Sequence, residues 1–179
     1  MKYETIADIY AANLKIREIF VATVDNVSSD EATALPDGEK WTIERVVEHV
    51  SIVEHNIVKI CAKLIEASKV NGKPADGTLA VADDLAAKWS GARDVKLEAP
   101  ERVQPTGGVP ITGSIEQMNA NRDAFDALRS DFESYDLSGS KFPHPFFGDL
   151  TATEWLILSG GHEARHTAQI GRILEKIRQ

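Results

Sequence analysis

The sequence predicts an all-α fold, a four-helix bundle with a long crossover connection between the second and third long helices. Three observations predict it. Four long segments repeat apolar residues at helical spacing, most begin at a recognisable cap, and no set of alternating segments reads as a sheet. At 179 residues the chain suits one domain spanning residues 1–179, long enough to bury a real core.

The first helix is expected from about Glu4 to Asn26. Ile6, Ile9, Tyr10, Leu14, Ile16, Phe20, Val21 and Val24 form its broad apolar stripe. Ser28-Ser29-Asp30-Glu31 reads as the start of a short helical turn, and Leu35-Pro36-Asp37-Gly38 as a loop. The second long helix starts after Thr42 as N-cap, with Glu44 in the first turn where the macrodipole favours a carboxylate. It runs through Val46, Val47, Val50, Val53, Ile57, Ile60 and Leu64 to about Lys69, and Asn71-Gly72-Lys73-Pro74 stops it.

Residues 70–113 form the crossover, with a short helix expected over Leu79 to Trp89 and an irregular stretch from Pro100 to Gly113. A connection this long in a compact domain either does work or crosses the fold, and it is read here as wrapping one end of the bundle and roofing a pocket. The third helix is predicted to start at Ser114, where Ser114 and Gln117 fit a capping box, and to reach residue 134 through Ile115, Met118, Phe125, Leu128 and Phe132. Pro143-His144-Pro145-Phe146-Phe147-Gly148 is read as a rigid aromatic turn. Thr151 and Glu154 make a second capping box, which opens a proline-free helix to about Arg178.

Composition excludes several function classes. The net charge of −8, with scattered Lys and Arg, argues against nucleic acid as a ligand. No apolar run reaches the roughly 20 residues of a membrane span. The N-terminal residues read as an amphipathic helix rather than a signal peptide, and the single cysteine allows no internal disulfide, so a cytoplasmic setting is expected. Cys61, among Ile57, Ile60 and Leu64, reads as a buried small hydrophobe.

The chemistry concentrates in Gly160-Gly161-His162-Glu163-Ala164-Arg165-His166. Positions i and i+4 of a helix share a face, so both imidazoles can reach one ion. They continue the stripe of Trp155, Leu158, Ile170, Ile173 and Leu174, and so point inward. The string also matches His-Glu-x-x-His, in which the Glu is a metalloprotease base. A zincin needs a third ligand downstream, and the residues after His166 hold no histidine; Gln169 and Arg172 stand where the extended pattern wants Gly and His. The third ligand must lie upstream. His49, between Val46 and Val53, borders the apolar stripe of the second helix. His55, on the mostly polar face of Glu48, Ser51 and Lys59, reads as a surface residue, and His144 as a loop residue at a pocket rim. His49, His162 and His166 would supply three nitrogens to Zn²⁺ or Ni²⁺, leaving a position for water or substrate.

The segment Trp41-Thr42-Ile43-Glu44-Arg45-Val46-Val47-Glu48-His49-Val50 resembles the second-helix signature of the DinB-like (YfiT-like) superfamily. His144-Pro145-Phe146-Phe147-Gly148-Asp149-Leu150-Thr151, Glu154-Trp155 and the His162–His166 pair resemble its C-terminal signature, in the same order over most of the chain. The resemblance implies a four-helix bundle with a three-histidine metal site, often a homodimer. It further implies a metal that activates a low-molecular-weight thiol for S-transfer or isomerisation, or serves a hydrolase. The expected activity is therefore metal-dependent chemistry on a small molecule, with no nucleic-acid or membrane partner. The alternative is a non-catalytic metal-binding or dimerisation module. Glu163 is a candidate base that more readily reads as an outer or surface residue, and Asn56, Asn119, Arg122 and His144 are candidate pocket residues.

Overall fold

The computed structural model describes residues 3–82 and 98–179. Helix α1 spans Ile6–Val24, α2 Ser29–Thr33, α3 Ile43–Asn71, α4 Ile111–Ser134 and α5 Ala152–Ile177. A 3₁₀ turn, Glu101–Val103, interrupts the crossover, and the strands β1 (Lys141–His144) and β2 (Gly148–Thr151) precede α5. Among the described residues no helix is long and apolar enough to cross a membrane.

Local chemistry explains most boundaries. Thr5 and Asp8, Ser28 and Glu31, and Thr151 and Glu154 each form a complete capping box, satisfying amide groups that have no partner inside the helix. Thr42 caps α3 through Arg45 N, and α3 ends where Gly72 takes the left-handed conformation (φ +65°). The third long helix begins a turn earlier than expected. Pro110, not Ser114, is its N-cap; Ser114 N–H donates to the Pro110 carbonyl, and the Ser114 hydroxyl is buried without a partner. The aromatic turn is more ordered than the sequence suggested. Lys141 to His144 pair antiparallel with Gly148 to Thr151, and Gly148 (φ +75°) closes the three-residue loop. Strands of four residues, one containing a proline, are too short to show an alternating pattern. The helix expected over 79–89 lies mostly outside the described residues; Leu79 to Ala82 are not helical.

Two clusters of buried side chains define the bundle ends. One joins Ile6 and Ile9 of α1 to Leu64 and Ile65 of α3, Phe132 of α4 and Trp155 of α5. The other joins Phe20 and Val24 to Val46 and Val50, Met118 and Ile173. The start of α1, the ends of α3 and α4 and the start of α5 therefore share one pole. The chain runs up, down, down, up. Because α3 and α4 point the same way, the chain must return the full length of the bundle between them, which is why the crossover is long. Its outgoing limb runs beside the end of α4, with Ala75 N–H donating to Ser134 O and Asp136 N–H to Lys73 O.

Helix α3 packs against both α4 and α5, and α1 against α5. Being flanked on two sides, α3 buries a wider arc than its apolar stripe. Glu48, Ser51 and Glu54 are buried, although the sequence placed Glu48 and Ser51 on a polar face. His55 is likewise half-buried rather than a surface residue, its Nδ1 3.2 Å from Asn121 Oδ1. Leu14, expected in the stripe of α1, is instead 40% exposed, and Arg17 takes a buried position.

Candidate metal centre

His49 sits in the second turn of α3, and His162 and His166 in the middle of α5, at the level where these helices touch. Their Nε2 atoms converge. His162 Nε2 is 3.2 Å from His49 Nε2 and 3.1 Å from His166 Nε2, and the three ligand atoms lie within 4.8 Å of one another. His49 and His166 are buried, and His162 keeps partial exposure.

The second ring nitrogens fix the tautomers of two of them. His49 Nδ1 donates to the Val103 carbonyl at 2.7 Å, and His166 Nδ1 to Gln169 Oε1 at 2.8 Å. A carbonyl oxygen can only accept, so both rings carry their proton on Nδ1 and turn an Nε2 lone pair inward. His162 can place a proton between itself and one of these neighbours, not both. At least one pair of lone pairs therefore faces at hydrogen-bond distance with no proton between.

Protonation does not relieve this. Burial pushes the His49 pKa down despite the Val103 bond. Burial, then the neighbouring His49, holds His166 down to about 3. His162 is lowered well below the ordinary imidazole range by burial and then by His166, His49 and Arg165. Three neutral imidazoles with converging lone pairs are a donor set for a cation. Nitrogens bound at 2.0–2.1 Å in tetrahedral geometry stand about 3.3 Å apart, and at right angles about 2.9 Å; the separations of His162 Nε2 from the other two, 3.2 and 3.1 Å, fall between these values. The residues present fit a divalent metal ion.

The surroundings support the set. The Trp41 ring lies 4.8 Å from the His49 ring and limits its rotation. His144 packs in the hairpin against Phe147 (4.6 Å between ring centroids) and Trp155 (5.1 Å), two helical turns before His162. Its Nδ1 accepts from Phe146 N–H, leaving an Nε2–H donor. Burial, then Arg102, lowers its pKa to about 4.

The other predicted pocket residues are not brought to the centre. Asn56 donates to its own helix at Ile52 O, and Asn119 is exposed. Arg122 lines a small cleft among α1, α4 and α5, 4.0 Å from Asp126. Glu163, the candidate base, is turned away from the imidazoles. Both its oxygens accept from the Arg17 guanidinium, at 2.6 and 3.2 Å, and Arg17 also donates to Glu54 at 2.6 Å. Asn121 Nδ2 completes the network on Glu54. One guanidinium serves two buried carboxylates. Burial raises both, and the coulombic effect of Glu163 adds to the shift of Glu54, which reaches about 7.

Sequence reasoning missed Arg17, Glu54, Glu48, Val103 and Gln169. Only Gln169, three residues after His166 on the same helix, had a local signal that spacing could have used.

Comparison with known proteins agrees with this architecture. The chain is 26% identical over 153 residues to the uncharacterized protein YuaE of Bacillus subtilis strain 168, covering 84% of this chain and 88% of that one. The crystal structure of TT2238, a four-helix bundle protein, superposes with a TM-score of 0.63 at 17% identity, covering 94% of this chain and 99% of that one. The sequence profile of the DinB superfamily matches residues 14–170, a span that contains all three converging histidines, and the chain belongs to the DinB superfamily.

Proposed function

We propose that this protein is a divalent-metal-dependent enzyme acting on a small molecule, by transfer of a low-molecular-weight thiol's sulfur to an electrophile or by hydrolysis, with Zn²⁺ or Ni²⁺ held by His49, His162 and His166. The observation that carries the reading is the convergence of three neutral Nε2 atoms whose tautomers favour a cation. Three protein ligands leave a coordination position, which favours catalysis over a structural role, where a fourth protein ligand closes the site. An ion bound there supplies a ligated water or thiol with a lowered pKa.

The chain's own residues prepare that position. Val103 and Gln169 keep the His49 and His166 lone pairs directed inward. Trp41 holds the His49 ring in place. The partial exposure of His162 gives the side from which a substrate enters, and His144 offers an Nε2–H donor to it. Glu163 is committed to Arg17, so that carboxylate is not the proton acceptor in this reading.

Metal analysis of the purified protein tests the reading. We expect close to one divalent ion per chain, lost in His49→Ala and in His166→Ala. Equal metal content in both variants and wild type removes the assignment. Incubating the metal-loaded protein with an electrophile, with and without a low-molecular-weight thiol, then separates the two reaction types, because turnover that ignores the thiol excludes S-transfer.

A further inference from the structure

Glu48 and His49 are neighbours on α3, yet both reach the same stretch of the returning crossover. Glu48 is 3% exposed. Its Oε1 accepts from Thr106 N–H at 2.9 Å and from the Thr106 hydroxyl at 2.6 Å, and its Oε2 from Gly107 N–H at 2.9 Å. Three residues before Thr106, the Val103 carbonyl accepts from His49 Nδ1. Arg45, one turn before His49, lies so close over Gly107 that a Cβ there would meet its guanidinium at 3.1 Å. Gly107 also has a positive φ of +80°.

This limb has little else to hold it. None of residues 98–110 is buried, and the 3₁₀ turn Glu101–Val103 contributes no side chain to the core. Segments without buried apolar contacts open at low free-energy cost, so their polar attachments decide their position. Here those attachments are the Glu48 bonds, the His49 bond itself and, before the 3₁₀ turn, an exposed ion pair of Glu98 with Lys40.

We infer that Glu48 is a positioning residue for the metal centre. By clamping Thr106 and Gly107 it keeps the Val103 carbonyl on His49 Nδ1, so the limb from Glu101 to Gly107 is a strap whose closure and metal binding reinforce each other. The inference rests on the reading of His49 as a metal ligand. A free imidazole populates both tautomers and rotates; a strapped one presents its Nε2 lone pair to the ion. Groups that fix a ligating histidine in this way are typically worth 10–100-fold in metal affinity. Linkage requires the reciprocal effect, so the ion must favour strap closure by the same factor.

Zinc affinity, measured by competition with a chromophoric chelator, tests the strap in wild type, Glu48→Ala, Glu48→Gln, Thr106→Val and Gly107→Ala. Glu48→Ala is expected to weaken zinc binding about 10–100-fold. Glu48→Gln should recover part of the loss, since its amide oxygen still accepts. Thr106→Val and Gly107→Ala lie on the strap and leave α3 intact, and they should weaken binding in the same direction. Amide exchange provides the reciprocal readout: zinc should slow exchange at Thr106 and Gly107 in wild type and lose that effect in Thr106→Val. If wild type binds zinc and the folded variants bind it equally tightly, or if zinc leaves those two amides unchanged in wild type, the strap is overturned while the metal site stands. If wild type binds neither zinc nor nickel, the metal reading itself falls. Should Glu48→Ala not fold, Thr106→Val and Gly107→Ala decide.

Discussion

Substituting Gly160 by alanine should destabilise the protein although alanine is the better helix former. Gly160 is in the interior of α5, facing α1. A Cβ added there would lie 2.1 Å from Asn13 Oδ1, 2.9 Å from Asn13 Cγ and 3.2 Å from Ile16 Cδ1. Asn13 cannot swing aside without loss, because its Nδ2 donates to the Leu156 carbonyl at 2.9 Å. Its Oδ1 is buried with no hydrogen-bond partner, pressed against the glycine backbone. Overpacking costs about 1–3 kcal/mol, and the lost hydrogen bond about 0.5–1.5 kcal/mol. The gain in helix propensity offsets about 1 kcal/mol. A net loss of about 0.5–3.5 kcal/mol follows for Gly160→Ala, read as a lower midpoint in urea denaturation. The diagnostic arm is the double mutant. With Asn13→Ala in place the Cβ has room, apart from the flexible tip of Ile16, and Gly160→Ala should turn neutral or stabilising by up to about 1 kcal/mol. A Gly160→Ala variant as stable as wild type, or one whose cost is the same with and without Asn13, would refute the close-approach explanation.

Two further outcomes follow from buried groups. Glu54 titrates at about 7 in the fold against 4.5 for a free glutamate. A carboxyl whose pKa rises on folding binds more protons folded than unfolded between those values, so its contribution to stability is lost as pH rises from about 4.5 through 7. Glu54→Gln keeps an acceptor for Arg17 and removes the second buried charge. Relative to wild type it should gain stability progressively across that window, by up to about 3 kcal/mol above pH 7; denaturation curves for the two proteins that stay parallel from pH 5 to 8 would contradict it. Cys61 is fully buried, and that burial pushes its thiol well above the ordinary range. A disulfide reagent should leave it unlabelled in the native protein and modify it fully in denaturant, whereas rapid native labelling would place it at an accessible surface.

How much was legible in the sequence varies residue by residue. The starts of α3 and α5 were readable because Thr42, Thr151 and Glu154 act within three or four positions of themselves. The same logic misplaced the start of α4. Ser114 and Gln117 have the spacing of a capping box, yet Pro110 already sets the entry geometry one turn earlier, and the serine is carried inside. The hairpin before α5 was read as a turn, since four-residue strands leave no period to detect. His55 was placed in solvent because its helical neighbours are polar; only the packing of α4 against that face reveals that it is half-buried.

The sequence alone determined what depends on neighbours along the chain: helix positions, caps, and the placing of His162 and His166 on one face, because a hydrogen-bonded turn repeats every 3.6 residues wherever it forms. It also marked His49 as inward, since an apolar stripe declares which side of a helix leaves water. Only the tertiary structure decided that α3 and α4 run parallel, that the crossover returns to place Val103 on His49, that Glu48 grips Thr106 and Gly107, and that Glu163 turns to Arg17. Those bonds join residues 54 to 146 positions apart. No local pattern encodes which distant partner a polar side chain meets, because that choice is made by how the helices pack.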